Sequence, residues 1–473
     1  MCADLGDRQL SSQQLWTTIQ ISHRRLNDSA SISLYLERSG SLPLDITIWW
    51  YPATEELKFT HSDGRTALWE KIVCEYRPTL HTRLEIVLGQ VARWRAFQLV
   101  LEDWNLLQSN VAWFSGFTAP QRTALWLSYC RVLHSGEPRG RTPVPEPLGP
   151  VFAHDGVPSI SYCVIDGVHL GLAPLSGHIL THLFIREQKD SLNTPFQDII
   201  SILEHSPNIR TLHILVCEGF HDPLLDSTKR IYPPSLEQLF LEDVRPVFAH
   251  SLLKQIVAPS MRIVRLGFTN GFFDALIETL SVPYIHSGRS VLRSVEALRV
   301  DAIILLRTDP DPAEEMYHDF DSLRVLVIER ALSRSYYRFL PSIVRLTRSS
   351  LSLASQSDHT PAICIPRLST LVLSDPFNPD IDELKELITI RRAVGAPIKR
   401  LLIQIDWIII PYPSWTLTGL LTTSKPSPRF VRPDPLMPRT QLILYSKRCW
   451  KLIWLQKRRF IASSEVFRSR VSA

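Results

Sequence analysis

The chain has 473 residues, 45% hydrophobic and 21% charged, which is enough apolar content for a large core and, by length alone, for two or more compact domains. Its formal charge of +5 is unevenly placed: residues 439–473 carry nine Lys/Arg against one Glu, leaving residues 1–438 with 43 bases and 46 acids, a net of −3. That balance excludes a broad nucleic-acid-binding surface over the body of the chain, and no apolar run approaches the roughly 18 residues of a spanning helix.

In chain order, Leu15 and Trp16 are followed by Ile19 and Ile21, an alternation that predicts a brief strand. Asp28 or Ser29 can cap a helix whose Ile32, Tyr35 and Leu36 share one face, and Gly40 stops it. Pro43 opens Leu44, Ile46 and Ile48, apolar at every second position as in a half-buried strand. Thr79 to Val91 reads as an amphipathic helix with Leu80, Leu84, Val87, Leu88 and Val91 on one stripe, and it feeds a strand from Trp94 to Leu101.

From here one pattern recurs. Ile209, Leu212 and Ile214 are apolar at the first, fourth and sixth positions of a nine-residue stretch that ends on the small Cys217. The spacing returns at Ile160, Cys163, Ile165; Leu180, Leu183, Ile185; Leu236, Leu239, Leu241; Met261, Val264, Leu266; and Val295, Leu298, Val300. It continues at Leu323, Leu326, Ile328; Leu368, Leu371, Leu373; and Ile398, Leu401, Ile403. Upstream, Trp94, Phe97, Leu99 fit, as do Leu125 and Leu127 behind a polar Arg122, giving eleven units at intervals of 20 to 45 residues. Apolar helical stripes precede several of them, at Phe196 to Leu203, Phe248 to Ile256, Leu276 to Leu280 and Leu384 to Ile388. Helix then strand is the unit, and the expected fold is an α/β leucine-rich-repeat-like solenoid, a curved parallel sheet with helices on its convex side.

The pattern divides the chain into residues 1–40 with a capping helix, a solenoid over 41–410, a proline-rich linker over 411–438 and a basic tail over 439–473, helical or disordered. Proline- and glycine-rich residues 136–150, acidic residues 308–321 and Ser/Arg-rich residues 333–361 read as insertions. In the tail, Trp450, Ile453, Trp454 and Phe460 interleave with Lys447, Arg448, Lys451, Lys457, Arg458 and Arg459. As a helix this segment would suit anionic surfaces; otherwise it is a disordered or packed terminus.

Leu15-Trp16 with Ile19 and Ile21, then Leu36-Glu37-Arg38-Ser39-Gly40 with Pro43-Leu44-Asp45-Ile46, then Arg93-Trp94-Arg95 before a strand, resembles the F-box and leucine-rich-repeat proteins abundant in mushroom-forming fungi. The resemblance is tightest over residues 13–110 and looser to about residue 410. It implies a non-enzymatic protein-interaction module, a substrate receptor of a cullin-type ubiquitin ligase that docks a Skp-type adaptor through its F-box. In that family the F-box precedes the Leu-Trp strand; with Met1 to Gln14 ahead of Leu15, most of it is expected to be missing. A repeat scaffold with no ligase role is the alternative, and a hydrolase or transferase the remote one.

In a stack of parallel strands the residue after each fourth position faces the concave side. Those residues are Trp126, Val164, Phe184, His213, Phe240, Arg265, Arg299, Val327, Val372 and Leu402, seven of the ten apolar. The candidate partner-binding residues are therefore the anchors Trp126, Phe184 and Phe240 with His213, Arg265 and Arg299 for polar selection, and the partner is a protein. The competing reading is a sheet that favours large side chains on both faces under a covering loop.

No P-loop, dinucleotide fingerprint, nucleophile elbow or H-E-x-x-H helix is present, so no catalytic residue, cofactor or metal is assigned. Paired acids at Glu242-Asp243, Glu314-Glu315 and Asp319 with Asp321 read as solvated loops or strand ends. The seven cysteines form no C-x-x-C pair, and Cys163, Cys217 and Cys130 fall at small apolar positions, which points to buried thiols in a reducing compartment, cytoplasmic or nuclear.

Overall fold

The computed structural model describes residues 13–22, 29–50, 78–101, 104–129 apart from 115, 118 and 120, 160–168, 179–186, 196–215, 230–268, 290–301, 319–329, 343–349, 363–374, 381–404 and 441–445. The chain forms two compact units, Met1–Ser260 and Met261–Ala473.

Among the described residues the first unit holds eight strands: β1 (Thr18–Ser22), β2 (Leu44–Trp50), β3 (Trp94–Leu101), β4 (Ala124–Tyr129), β5 (Tyr162–Asp166), β6 (His182–Arg186), β7 (Thr211–Leu215) and β8 (Gln238–Val244). Each pairs in parallel with the next in chain order. Register follows the repeat: Ile46, Phe97, Leu125, Cys163, Leu183, Leu212 and Leu239 stand opposite one another, and all are buried. Two residues on, Ile48, Leu99, Leu127, Ile165, Ile185, Ile214 and Leu241 make a second buried row on the same face. Side chains alternate along a strand, so these rows share one face and leave the residues between them on the other.

Helices cover the face that carries the buried rows. Ahead of β3 runs α2 (78–88), whose Leu80, Leu84, Val87 and Leu88 are buried, and the indole of the strand residue Trp94 donates to the Val87 carbonyl at 3.2 Å. After β3 comes α3 (Trp104–Phe114), whose Phe114 meets the Phe97 ring edge-on at 5.2 Å between centroids. Next are α4 (Phe196–His205) and α5 (Pro246–Gln255), joined by an edge-on contact of Phe196 with Phe248. The first helix, α1 (Ser29–Arg38), closes at Gly40, whose φ of +56° costs a glycine little because it has no Cβ.

The second unit repeats the scheme with β9 (Ile263–Phe268), β10 (Ala297–Asp301), β11 (Val325–Glu329), β12 (Thr370–Ser374), β13 (Arg400–Gln404) and β14 (Gln441–Tyr445), again parallel in chain order. Val264, Leu298, Leu326, Leu371 and Leu401 stand in register and are buried. Its helices are α6 (Val291–Ser294), α7 (343–349) and α8 (Ile381–Ala393). Each unit is a leucine-rich-repeat-like α/β stack, as the spacing predicts.

Strand entry has its own repeating device. The carbonyl two residues before the fourth position accepts two successive N–H groups from the next layer. Thr123 receives Ser161 and Tyr162, Arg210 receives Glu237 and Gln238, and Arg324 receives Ser369 and Thr370. In three consecutive layers of the first unit a hydroxyl joins in: Thr123, Ser161 and Thr181 each donate to the carbonyl below, of Arg95, Thr123 and Ser161.

Several expectations need correcting. The strand stack begins at Thr18, inside the residues 1–40 set apart from the solenoid. Within the 439–473 tail, Gln441–Tyr445 is a strand beside β13; the rest of the tail and the 411–438 linker lie outside the described residues. Residues 343–349 of the Ser/Arg-rich insertion are helical, with Ile343 and Val344 buried. The α2 helix ends before Val91, which lies in a short 3-10 turn, Val91–Arg93. The 136–150 insertion, the 276–280 stripe, Cys130 and Cys217 are outside the described residues.

The Arg122 that interrupts the apolar pattern occupies the same slot as Leu180 and Ile209 and is only 2% exposed. Burial pushes its guanidinium down to about 9, with the adjacent Cys163 pulling the other way, and burial pushes the Cys163 thiol up to about 12. Arg391 is fully buried in α8, where its guanidinium bonds to the main chain. It donates to the carbonyls of Cys364 at 2.9 Å, Ile365 at 2.9 Å and Ala396 at 3.1 Å. Ile365 sits at φ +50°, an unfavourable value for a β-branched residue, and the guanidinium fixes the turn that holds it there.

Candidate partner-binding face

On the face opposite the buried rows, the first unit presents Trp126, Val164, Phe184, His213 and Phe240 in register on β4 to β8. Adjacent parallel strands lie about 4.8 Å apart, so side chains of this size must touch. The His213 imidazole meets Phe184 edge-on at 4.4 Å and Phe240 at 5.4 Å between centroids. The four larger side chains are half-buried, and Val164 is buried at 4% exposure, so the row is a packed strip rather than a bare apolar stripe. The Trp126 indole N–H is buried and makes no hydrogen bond among the described residues.

Two residues further along each strand, Ser128, Asp166, Arg186, Leu215 and Glu242 form a second row on this face. Ser128 donates to Asp166 Oδ2 at 3.1 Å, and Arg186 Nε lies 3.7 Å from Asp166 Oδ1. Burial holds the Asp166 carboxyl above its ordinary value, against the pull of Arg186 and the Ser128 hydrogen bond. His213 Nε2 lies 2.9 Å from Glu242 Oε1, a diagonal contact between the rows. Tyr162 and His182, two residues before the aromatic row, make a third ring contact at 5.8 Å. This face thus mixes six aromatic or imidazole rings with two carboxylates and one guanidinium, the composition of an interface centre.

The candidate residues therefore divide. Trp126, Phe184, His213 and Phe240 come together in the first unit. Arg265 and Arg299 belong to the second, opposite each other on β9 and β10, both half-buried and both engaged in other interactions. Val327 and Leu402 continue their row half-buried, with Val372 between them buried at 2%.

Reading one position per strand misses Asp166, Arg186 and Glu242, although the two-residue period of a strand places them on the same face. Glu242 and Asp243 fall at a strand end, the end of β8, but are half-buried rather than solvated, with Asp243 at φ +52°. Asp319 and Asp321 flank Arg293 at 3.4 and 3.9 Å; Glu314 and Glu315 are outside the described residues. Among the described residues no group of three or more His, Cys, Asp or Glu could hold a metal ion, and no helix is long and apolar enough to cross a membrane.

No family model matches the sequence, and no curated protein matches it. Seven chains of solved structures do match. One is in the crystal structure of the TLR13–ssRNA13 complex, with a TM-score of 0.32 and 11% sequence identity over 66% of this chain. The match spans 42% of that chain.

Proposed function

We propose that the chain is a non-enzymatic protein-interaction module whose partner contacts Trp126, Phe184, His213 and Phe240. The observation that carries this is the in-register row itself, in which rings on adjacent strands pack edge to face and stay partly exposed. Half-buried aromatic residues held rigid by neighbours lose little freedom on binding, which is what an anchoring residue needs. Arg265 and Arg299 supply polar contacts on the second unit. Replacing Phe184 and Phe240 together by Asp should abolish capture of the partner while the far-ultraviolet circular-dichroism spectrum stays that of the folded chain; unchanged capture would count against this face.

The finer reading is a substrate receptor of a cullin-type ubiquitin ligase, working in the cytoplasm or nucleus. Its support is the resemblance carried by Leu15-Trp16, Leu36-Glu37-Arg38-Ser39-Gly40 and Arg93-Trp94-Arg95. Such a receptor performs no chemistry and acts by raising the local concentration of its target beside the ligase. Two of these motifs are joined by hydrogen bonds that any such stack could use. Arg93 donates to the Leu42 carbonyl at 3.0 and 2.9 Å and to Ser39 Oγ at 2.7 Å, tying the α1–β2 turn to β3. Purification of the tagged full chain from its native cells decides the point: a Skp-type adaptor and a cullin in the eluate support the receptor, and their absence leaves a repeat scaffold.

A further inference from the structure

The strand-entry edge of the second unit is strongly basic. Arg262 precedes β9, Arg324 precedes β11, Arg367 lies in the turn before β12, and Lys399 and Arg400 lead into β13; all five are exposed. Among the described residues, acids on this edge are already engaged: Glu296 is 3.8 Å from Arg262, and Asp319 and Asp321 face Arg293. Arg324, Arg367, Lys399 and Arg400 have no acidic partner among the described residues.

These four cations are held close by the main chain. Ser369 and Thr370 both donate to the Arg324 carbonyl at 3.0 Å, and Lys399 and Arg400 donate to that of Ser369 at 2.8 and 3.0 Å. Three hydrogen-bonded layers at about 4.8 Å per step bring the cations onto a line about 10 Å long. The turn carrying Arg367 is fixed from beneath by the buried Arg391, through the carbonyls of Cys364 and Ile365. Like charges gathered on so rigid a frame repel one another, a cost that an anionic ligand would relieve.

We propose that this edge docks a short acidic polypeptide segment of a partner, an extended stretch carrying at least two Asp or Glu across the entries of β11, β12 and β13. An extended chain advances about 3.3 Å per residue, so about three or four residues span the line. The cations lie on three successive strands rather than converging on one point, which does not suit a single phosphate. A polynucleotide would run on along the edge to the Glu296–Arg262 pair, which offers its next phosphate no unpaired cation. An acidic peptide can place a neutral residue there. This inference concerns a different surface from the aromatic row and stands or falls apart from it.

The test is fluorescence anisotropy on the full chain with three labelled probes: a peptide alternating Glu and Ser, its Gln–Ser counterpart, and a single-stranded oligodeoxynucleotide. The acidic peptide should bind and the Gln peptide should not. The triple variant Arg324→Glu, Lys399→Glu, Arg400→Glu should weaken binding by about tenfold or more, whereas Arg210→Glu, at the equivalent exposed entry position of the first unit, should leave it unchanged. If charge reversal unfolds the chain, the triple Gln variant serves with the same expected direction. No binding of the acidic peptide, equal binding by the triple variant, or oligonucleotide binding as tight as that of the peptide would each overturn the proposal.

Discussion

His213 Nε2 lies 2.9 Å from Glu242 Oε1, while the same imidazole is gripped edge-on by Phe184 and Phe240. The ring is thereby fixed both in plane and in rotation. His213→Phe keeps the ring packing and removes the polar contact; Glu242→Gln removes the charge and keeps the shape. A double-mutant cycle on urea unfolding should give a coupling of about 0.5–1 kcal/mol between the two. Additive effects would mean that the contact contributes nothing to holding the row.

Asp166 provides a pH signature on the same face. Its folded carboxyl titrates above the ordinary value of 3.8, burial being the main cause. Between that value and the raised one the folded chain holds more proton than the unfolded chain, so this group's contribution to stability falls as pH rises through the window. Asp166→Asn retains an acceptor for Ser128 and cannot ionise. The variant should be the more stable protein at pH 7, and its advantage should shrink towards nothing as pH falls to about 4. An advantage that grows on acidification would contradict the assigned direction.

Two buried arginines of the repeat core, Arg391 and Arg122, should respond in opposite ways. Arg391→Leu strips donors from the carbonyls of Cys364, Ile365 and Ala396 and frees Ile365 from its held conformation. A loss of about 3 kcal/mol or more is expected. Arg122→Leu instead restores an apolar residue to a slot that Leu180 and Leu236 fill elsewhere, and it removes a charge whose burial is already unfavourable. It should raise the midpoint of urea unfolding, by about 1 kcal/mol in stability. A loss of stability on Arg122→Leu would show that its polar contacts outweigh its burial.

Those arginines also mark the boundary of what the sequence reveals. Rows such as Leu183, Leu212 and Leu239 are legible because first, fourth and sixth positions repeat locally, and parallel register simply stacks them. Among the described residues, thirteen of the fourteen strands follow from that spacing or from simple alternation; β14 hides behind a proline-rich stretch that ends the pattern. The partners of Arg83, Arg93 and Arg391 are main-chain carbonyls 61, 51 and 26 residues away, at Ser22, Leu42 and Ile365, and no local pattern announces them. Trp126, Phe184, His213 and Phe240 are legible as one row by position. The carboxylates of Asp166 and Glu242, which give that row its polarity, become visible only when the strand period is carried one step further.

Everything proposed for the binding face depends on layers stacked in parallel and in register, and that can be measured by cross-linking. Thr211 and Gln238 are register partners on β7 and β8. Their main chains stand about 4.8 Å apart, within the reach of a disulfide. With both replaced by Cys in the full chain, mild oxidation followed by peptide mapping under non-reducing conditions should recover the 211–238 cross-link in high yield. The offset pair, Thr211→Cys with Glu242→Cys, should give none. An equal yield from the two pairs, or cross-linking of the offset pair alone, would contradict the stacked register and with it the aromatic row.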